Sequence, residues 1–187
     1  MFMIINRDGQ KKYLSGQERE AFIAAARSLT QTEFLFCATL TLTGCRISEA
    51  LALLRHQISP TESVITIRSL KKRGQVHHRQ IPVPSWLTEM LADEIDVRSL
   101  ATDSRLWPWS RTKGWGLIKL VMQAAKIDGV HASPKGLRHG FGVAAIEAGI
   151  PLNLIQKWLG HTRIETTAIY TNAVGPEERR IAARMWC

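Results

Sequence analysis

The feature that most constrains the fold of this chain is its division into short helical segments by glycine and proline. In the last third, apolar residues recur at helical spacing between these residues. Gly149 and Gly160 fit the C-terminal ends of two helices, and Pro176 fits the first turn of another. The pattern predicts four consecutive helices, over residues 134–148, 151–159, 163–171 and 176–186.

The rest of the chain follows the same pattern with one interruption. Residues 64–67 are rich in β-branched side chains, and residues 79–83 alternate around Ile81 and Val83, so together they predict a β-hairpin with a basic tip. Gly44 fits the end of an apolar helix that Thr30 or Thr32 caps. The predicted helices of this part cover about residues 16–29, 33–43, 46–54, 85–95 and 112–126.

These elements predict a mainly α fold with a small β-hairpin or sheet. No repeat, low-complexity tract or linker divides the chain, so we expect one domain over residues 1–187. An N-terminal arm over residues 1–13 and a C-terminal tail helix over residues 173–187 complete this organisation.

The charge of the chain points to a polyanionic partner. Lys and Arg number 25 and Asp and Glu 16, which gives a formal net charge of +9 at pH 7. Nucleic acid is the first candidate for such a partner, and solubility alone is the alternative explanation of the charge.

Several classes of protein are disfavoured by the sequence. The apolar stretch over residues 34–42 is far shorter than the roughly 20 residues that cross a bilayer, and the apolar N-terminus is too short for a secretion signal. Cys37, Cys45 and Cys187 lack the spacing of metal ligands and fit reduced thiols. We therefore expect a cytoplasmic protein without a membrane role, a metal or a cofactor.

Three clusters combine cationic residues with glycines that fit turns or helix ends. They are Thr43-Gly44-Cys45-Arg46-Ile47-Ser48-Glu49, then Ser69-Leu70-Lys71-Lys72-Arg73-Gly74, then the run from Lys135-Gly136-Leu137-Arg138-His139 through Leu159-Gly160-His161 to Thr167-Ala168-Ile169-Tyr170. In this order they resemble the tyrosine recombinase (phage integrase) family, over about residues 17–172. The resemblance implies the fold of the family's catalytic domain, a DNA breaking and rejoining enzyme.

The resemblance implies a role for each of six residues. Tyr170 is the nucleophile that forms a 3′-phosphotyrosine. The forked guanidinium groups of Arg46 and Arg138 stabilise the negative charge of the transition state on the non-bridging phosphate oxygens. Lys71 protonates the departing 5′-oxygen. Lys135, where the family usually has His, and His161 donate to the phosphate.

Some of these assignments carry alternatives. Lys72 is the second candidate for the lysine of the hairpin, whereas Arg73 is disfavoured because guanidinium barely releases a proton. Glu49 and His139 are expected to support the residues of the site. Lys72, Arg73 and Arg79 are predicted to contact DNA.

The resemblance also implies partners. The expected substrate is double-stranded DNA with specific recombination sites, bound by a homotetramer that assembles through the C-terminal tail, with accessory DNA-bending proteins. The sequence fits a short form without the N-terminal DNA-clamping domain of most members. A non-catalytic DNA-binding regulator with the same fold and a type IB topoisomerase-like nicking-closing enzyme are the competing functions.

Overall fold

The computed structural model describes residues 4–6, 8–70, 76–172 and 176–185. Nine α-helices and three strands lie in these ranges, with two short 3-10 helices at Arg55–Gln57 and Ile169–Asn172. The helices are α1 Gly16–Ala26, α2 Gln31–Thr43, α3 Ile47–Ala50, α4 Ser85–Val97, α5 Arg111–Ala124, α6 Pro134–Glu147, α7 Leu152–Leu159, α8 Glu165–Ala168 and α9 Pro176–Ala183. The strands are β1 Ile58–Ser59, β2 Val64–Leu70 and β3 Val76–Pro82.

Helix α2 is the centre of the fold. Its first turn is stabilised by the Thr30 hydroxyl, which donates to Glu33 Oε2 at 2.7 Å. The helix ends at Gly44 in the left-handed conformation, with φ of +60°. Most of its side chains are buried against α1, α4 and α6, because it carries apolar residues on all faces.

The strands form one antiparallel sheet in the order β1-β2-β3. The predicted hairpin is confirmed: Ile67 pairs with Arg79, and Ser69 pairs with His77. The paired strands extend beyond residues 64–67 and 79–83, and β1 adds a third strand. The predicted basic tip, with Lys71, Lys72 and Arg73, lies outside the described residues.

The apolar side chains form two clusters. The larger one joins α1, α2, α4 and α5 to the sheet. The smaller one surrounds Tyr170 and contains Ile4 and Tyr13 from the segment predicted as an N-terminal arm. Both of these side chains are buried, so this part of the chain packs against the domain.

Three predicted helices are shorter in the structure. The helix predicted over 46–54 ends at Ala50, because the backbones of Leu53 and Leu54 pair with the segment of Arg105 and Leu106. The helix predicted over 163–171 becomes α8 and a 3-10 turn that holds Tyr170. The first helix ends at Ala26, three residues early.

Helix α9 packs against α6 of its own chain. The Arg180 guanidinium lies 2.7 Å from the Glu147 carboxylate, and the Tyr13 hydroxyl donates to the buried Glu177 at 3.4 Å. Docking of this tail onto a neighbouring protomer therefore stays a prediction. Within the described residues, no helix combines the length and apolar character needed to span a membrane.

Candidate active site

Arg138 joins the turns that follow two helices. It lies on α6, with only 7% of the residue exposed. Its Nη1 donates to the Gly44 carbonyl at 2.8 Å, and its Nη2 donates to the Leu159 carbonyl at 2.7 Å. Gly44 and Gly160 both have positive φ, which glycine adopts without strain, so α2 and α7 end where their carbonyls meet the guanidinium.

The charge of Arg138 is not neutralised by these two carbonyl partners. Burial, and next the positive charge of Arg46, lower the pKa of Arg138 to about 10. The guanidinium is still protonated at neutral pH. A buried cation held by neutral acceptors favours an anion beside it.

Arg46 provides the second cation from the start of α3. Its side chain is 47% exposed, and its Nη1 donates to Glu49 Oε1 at 3.0 Å. The backbone N–H of Arg46 donates to Glu49 Oε2 at 2.9 Å. Glu49 therefore orients Arg46, as the sequence interpretation expected.

Tyr170 is buried beside two histidines. Its hydroxyl lies 3.1 Å from His139 Nδ1, and its ring stacks on His161 with 6.2 Å between the ring centroids. Burial raises the pKa of Tyr170 to about 12, although the charges of Arg138 and Arg46 act in the opposite direction. The phenol is therefore protonated at neutral pH and needs a proton acceptor to become a nucleophile.

His139 is placed to accept that proton. Burial, and next the charges of Lys135 and Arg138, lower the pKa of His139 to about 4. The imidazole is consequently neutral at neutral pH and has one nitrogen that accepts a hydrogen bond. The sequence predicted only a supporting role for His139, because adjacency to Arg138 does not reveal contact with Tyr170.

His161 follows α7 in the turn after Gly160. Its Nδ1 lies 2.9 Å from Thr167 Oγ1, which fixes the ring. Burial, with the charges of Arg138 and Arg46, lowers the pKa of His161 to about 3. The neutral imidazole has a ring N–H that it offers as a hydrogen-bond donor.

A cleft of about 460 Å³ brings the predicted residues together. Five of the six proposed catalytic residues line it, namely Arg46, Lys135, Arg138, His161 and Tyr170. Arg111 and Trp115 of α5 also line the cleft, and sequence analysis did not select them. Their four-residue spacing on one helix was the available signal, but only the fold shows that this face meets the cleft.

A second groove of about 950 Å³ adjoins the first at Arg46 and His161. It runs over the sheet and α7, where it is lined by the cationic residues Arg68 and Lys157. Lys71 lies outside the described residues, but Ser69, two residues earlier, donates to Glu49 Oε1 at 2.9 Å. Strand β2 thus leads the chain toward the hairpin tip from the edge of the site.

Arg79 lines the second groove but is only 7% exposed. Its predicted contact with DNA stays a prediction. Its guanidinium donates to Glu49 and to the Trp158 carbonyl, at 2.7 and 2.6 Å. The alternating pattern of β3 indicated the inward direction of this side chain, which its charge alone does not reveal.

The described part of the chain contains no cluster of three His, Cys, Asp or Glu side chains that could hold a metal ion. The charges that face the cleft come from arginine and lysine. This arrangement suits an anionic phosphate group.

Comparisons with known proteins agree with this geometry. The model of the phage integrase family matches residues 12–175. A resolvase of Escherichia coli is 30% identical over 200 residues, which cover 90% of this chain and 76% of the resolvase. Tyrosine recombinase XerD of Xanthomonas campestris pv. campestris is 42% identical over 181 residues, which cover 86% of this chain and 54% of XerD.

Solved structures show the same fold. The crystal structure of XerA recombinase matches with a TM-score of 0.80 and 26% identity, over 92% of this chain and 64% of that chain. The catalytic domain of bacteriophage HP1 integrase matches with a TM-score of 0.66 and 21% identity, over 92% of this chain and 93% of that domain. The chain therefore spans less than two thirds of the XerA and XerD chains and nearly all of an isolated catalytic domain.

Proposed function

The chain belongs to the phage integrase family of tyrosine recombinases, and we propose that it cleaves and rejoins DNA at specific sites through a covalent bond to Tyr170. The observation that carries the proposal is the hydrogen bond between the Tyr170 hydroxyl and His139, in a cleft that Arg46 and Arg138 also line. A relative, XerH, has been solved on its difH substrate after cleavage.

In the proposed cleavage step, Tyr170 Oη attacks the phosphorus of a DNA phosphodiester. The phenol proton passes to His139, a bond forms between Oη and phosphorus, and the bond between phosphorus and the 5′-oxygen breaks. Lys71 gives its proton to the departing 5′-oxygen. Attack by a 5′-hydroxyl reverses these transfers and reseals the strand without ATP.

The two arginines act on the phosphate during this step. Negative charge grows on the non-bridging oxygens as Oη approaches. Fixed guanidinium donors therefore stabilise the transition state more than the ground state. The Arg138 guanidinium is held by two backbone carbonyls, so it needs little reorganisation as the charge on the phosphate develops. Lys135 is exposed at the rim of the cleft and adds a donor there.

Tyr170 has to move before it reacts. The residue is fully buried, so its oxygen does not meet a phosphate in the cleft as it stands. It lies in the 3-10 turn Ile169–Asn172, which follows a helix of only four residues. Displacement of this turn toward the cleft is the smallest change that brings Oη to the phosphate. We infer that DNA binding favours this displacement.

The proposal includes the DNA that the chain binds and the partners with which it assembles. The two adjoining basic grooves support binding of a DNA backbone across α5, α7 and the sheet. A tetramer through the tail and the help of DNA-bending proteins follow from the family. Met185, at the end of the described tail, is 72% exposed and available for such a contact.

Covalent capture tests the proposal. Labelled nicked duplexes with randomised arms are incubated with the chain in EDTA, and DNA that remains attached to protein is isolated on a denaturing gel and sequenced. We expect a covalent band that is absent with Tyr170→Phe, although Tyr170→Phe still binds the recovered duplex. Capture that needs magnesium, or that persists in Tyr170→Phe, would contradict the mechanism.

A further inference from the structure

Arg79 occupies a buried position between the three segments of the site. On one side, its Nη2 donates to Glu49 Oε2 at 2.7 Å, and its Nη1 donates to Glu49 Oε1 at 3.3 Å and also to the Ser69 hydroxyl. On the other side, its Nε donates to the Trp158 carbonyl at 2.6 Å. All three nitrogens of the guanidinium are thus bonded inside the protein.

Glu49 links Arg79 to Arg46 through hydrogen bonds. The two oxygens that accept from Arg79 also accept from the backbone N–H and the Nη1 of Arg46. Hydrogen bonding and the charge of Arg79 are the largest effects that lower the pKa of Glu49, which is about 2 despite burial. Without Arg79, Glu49 is a buried carboxylate that keeps the half-exposed Arg46 and the neutral Ser69 hydroxyl as donors among the described residues, which is an unfavourable state.

The second contact of Arg79 reaches the turn that carries His161. The Trp158 carbonyl precedes that of Leu159, the acceptor of Arg138. Gly160 lies directly against the guanidinium, since a Cβ added there would be 3.1 Å from Arg79 Cζ. Arg79 therefore supports this turn by packing as well as by hydrogen bonding.

We propose that Arg79 is a positioning residue, which acts through Glu49 and the Trp158 carbonyl to hold Arg46 and the Leu159–His161 turn in one geometry. The inference rests on the proposed function and deepens it. Two guanidinium groups stabilise one phosphate only if their separation is fixed, and small misplacements of such groups have large effects on rate. Arg79 provides this fixation from strand β3, which the hairpin joins to Lys71.

The first test separates positioning from DNA contact. Arg79→Gln, Arg79→Lys and the matched control Arg55→Gln are compared with the parent on the duplex recovered by covalent capture. Arg55 is a suitable control because it also bonds a carbonyl and a carboxylate, those of Leu100 and Asp96, away from the cleft.

We expect Arg79→Gln to bind the duplex with unchanged affinity and salt dependence, but to form the covalent complex about 10- to 100-fold more slowly, as when the partner of a functional ligand is removed. Arg79→Lys retains part of the rate because it keeps a charge for Glu49. Arg55→Gln matches the parent. A DNA contact would instead weaken binding and reduce the salt slope by about 1.

The second test follows the pH profile of covalent complex formation from pH 7.5 to 5. Among the described residues, the charged and titratable groups near Glu49 include Arg46, Arg79, Arg138 and Cys45, with Arg68, His77 and His161 along the groove. In Arg79→Gln we expect the pKa of the Glu49 carboxyl to rise, because its largest stabilising partner is lost, so that its protonation releases Arg46 and the rate falls further on acidification than in the parent. Arg79→Gln/Glu49→Gln lacks this additional fall, because an amide does not titrate.

The outcomes distinguish the two proposals. If the parent forms no covalent complex with any duplex, the proposed function is wrong. If the parent reacts and Arg79→Gln shows weaker binding, an unchanged rate, or a pH profile parallel to the parent, the positioning role is wrong. If circular dichroism shows that Arg79→Gln does not fold, the rate of covalent complex formation and the DNA affinity of Arg79→Lys are compared with those of the parent instead.

Discussion

At the scale of single residues, the site is organised around groups kept in their uncharged forms. Burial lowers the pKa values of His139 and His161 and raises that of Tyr170, so these three side chains are neutral at neutral pH. Arg138 beside them remains charged. In this arrangement the pKa shifts of His139 and Tyr170 both oppose transfer of the phenol proton to His139, so the transfer depends on the change that brings Oη to the phosphate.

The lowered pKa of His139 predicts a loss of stability in mild acid. The unfolded chain takes up a proton at His139 near pH 6.5, whereas the folded chain does so only near pH 4, so stability is complete above pH 6.5 and falls on acidification toward pH 4. Between pH 7.5 and 5 this group alone contributes a loss of about 2 kcal/mol. We expect a smaller loss in His139→Asn, measured by urea denaturation.

The surface residue His56 provides the control for that experiment. It contacts the Thr102 carbonyl and Asp103 and lies outside the cleft. His56→Asn should lose as much stability on acidification as the parent. An equal loss in His139→Asn and the parent would show that His139 is not buried in its neutral form. Glu18 and Glu49 do not interfere, because their lowered pKa values act below pH 4.5.

At the scale of elements, the helix ends that glycine marks were predictable from the sequence. Gly44 and Gly160 were identified as helix ends, and both adopt the left-handed conformation that favours glycine there. The helix predicted over 163–171 was wrong in its second half, because local periodicity does not report that Tyr170 must enter the smaller apolar cluster. Tertiary packing decides that segment.

Gly142 of α6 allows the close approach of Tyr170 to this helix. A Cβ at Gly142 would lie 2.6 Å from the Tyr170 ring. We expect Gly142→Ala to destabilise the fold by about 1–3 kcal/mol, because the overlap outweighs the gain in helix propensity. Gly116→Ala in α5 meets no atom within 4 Å and should instead stabilise by about 0.5–1 kcal/mol. Thermal denaturation of both variants measures this contrast, and stabilisation by both would contradict the packing.

Lys71, the proposed leaving-group acid, follows strand β2 in the sequence, and a sulfur substitution tests its role. A 5′-bridging phosphorothiolate leaves as a thiolate with a pKa of about 8.5 and needs almost no protonation. Lys71→Ala should therefore cleave ordinary DNA slowly and the sulfur-substituted duplex nearly as fast as the parent. Gel assays of single-turnover cleavage measure both rates.

The comparison variants make this test specific. Arg46→Ala should remain slow on both substrates, because it removes charge stabilisation rather than the proton. Rescue of Lys72→Ala alone would place the acid one residue later in the hairpin. If sulfur substitution rescues neither lysine variant, the leaving-group acid is neither Lys71 nor Lys72, and Lys135 is the next candidate.

At the scale of the whole molecule, sequence order predicted the participants of the site but not their contacts. Five of the six proposed catalytic residues, separated by up to 124 positions from Arg46 to Tyr170, line one cleft. Their chemistry was readable because residue types and spacing are local signals. The contact of His139 with Tyr170, the burial of Arg79 and the approach of α5 depend on how the elements pack.

The packing of the N-terminal segment was also not predictable from local sequence signals. A polar stretch before the first helix suggested an arm, but Ile4 and Tyr13 pack in the cluster that holds Tyr170. Tyr13 also contacts Glu177, so the segment before α1 and helix α9 meet at this cluster. Changes in either of them are therefore expected to reach the site through this cluster.

Identification of the amino acid that carries the DNA tests the central claim most directly. The covalent complex is digested with nuclease and trypsin, and the peptides are analysed by mass spectrometry. Cleavage after Arg163 and Arg179 gives a peptide over residues 164–179 whose only tyrosine is Tyr170. We predict that this peptide carries the nucleotide through its 3′-phosphate on Tyr170. A nucleotide on Tyr13, on a serine, or on any other peptide would contradict the assignment of the nucleophile.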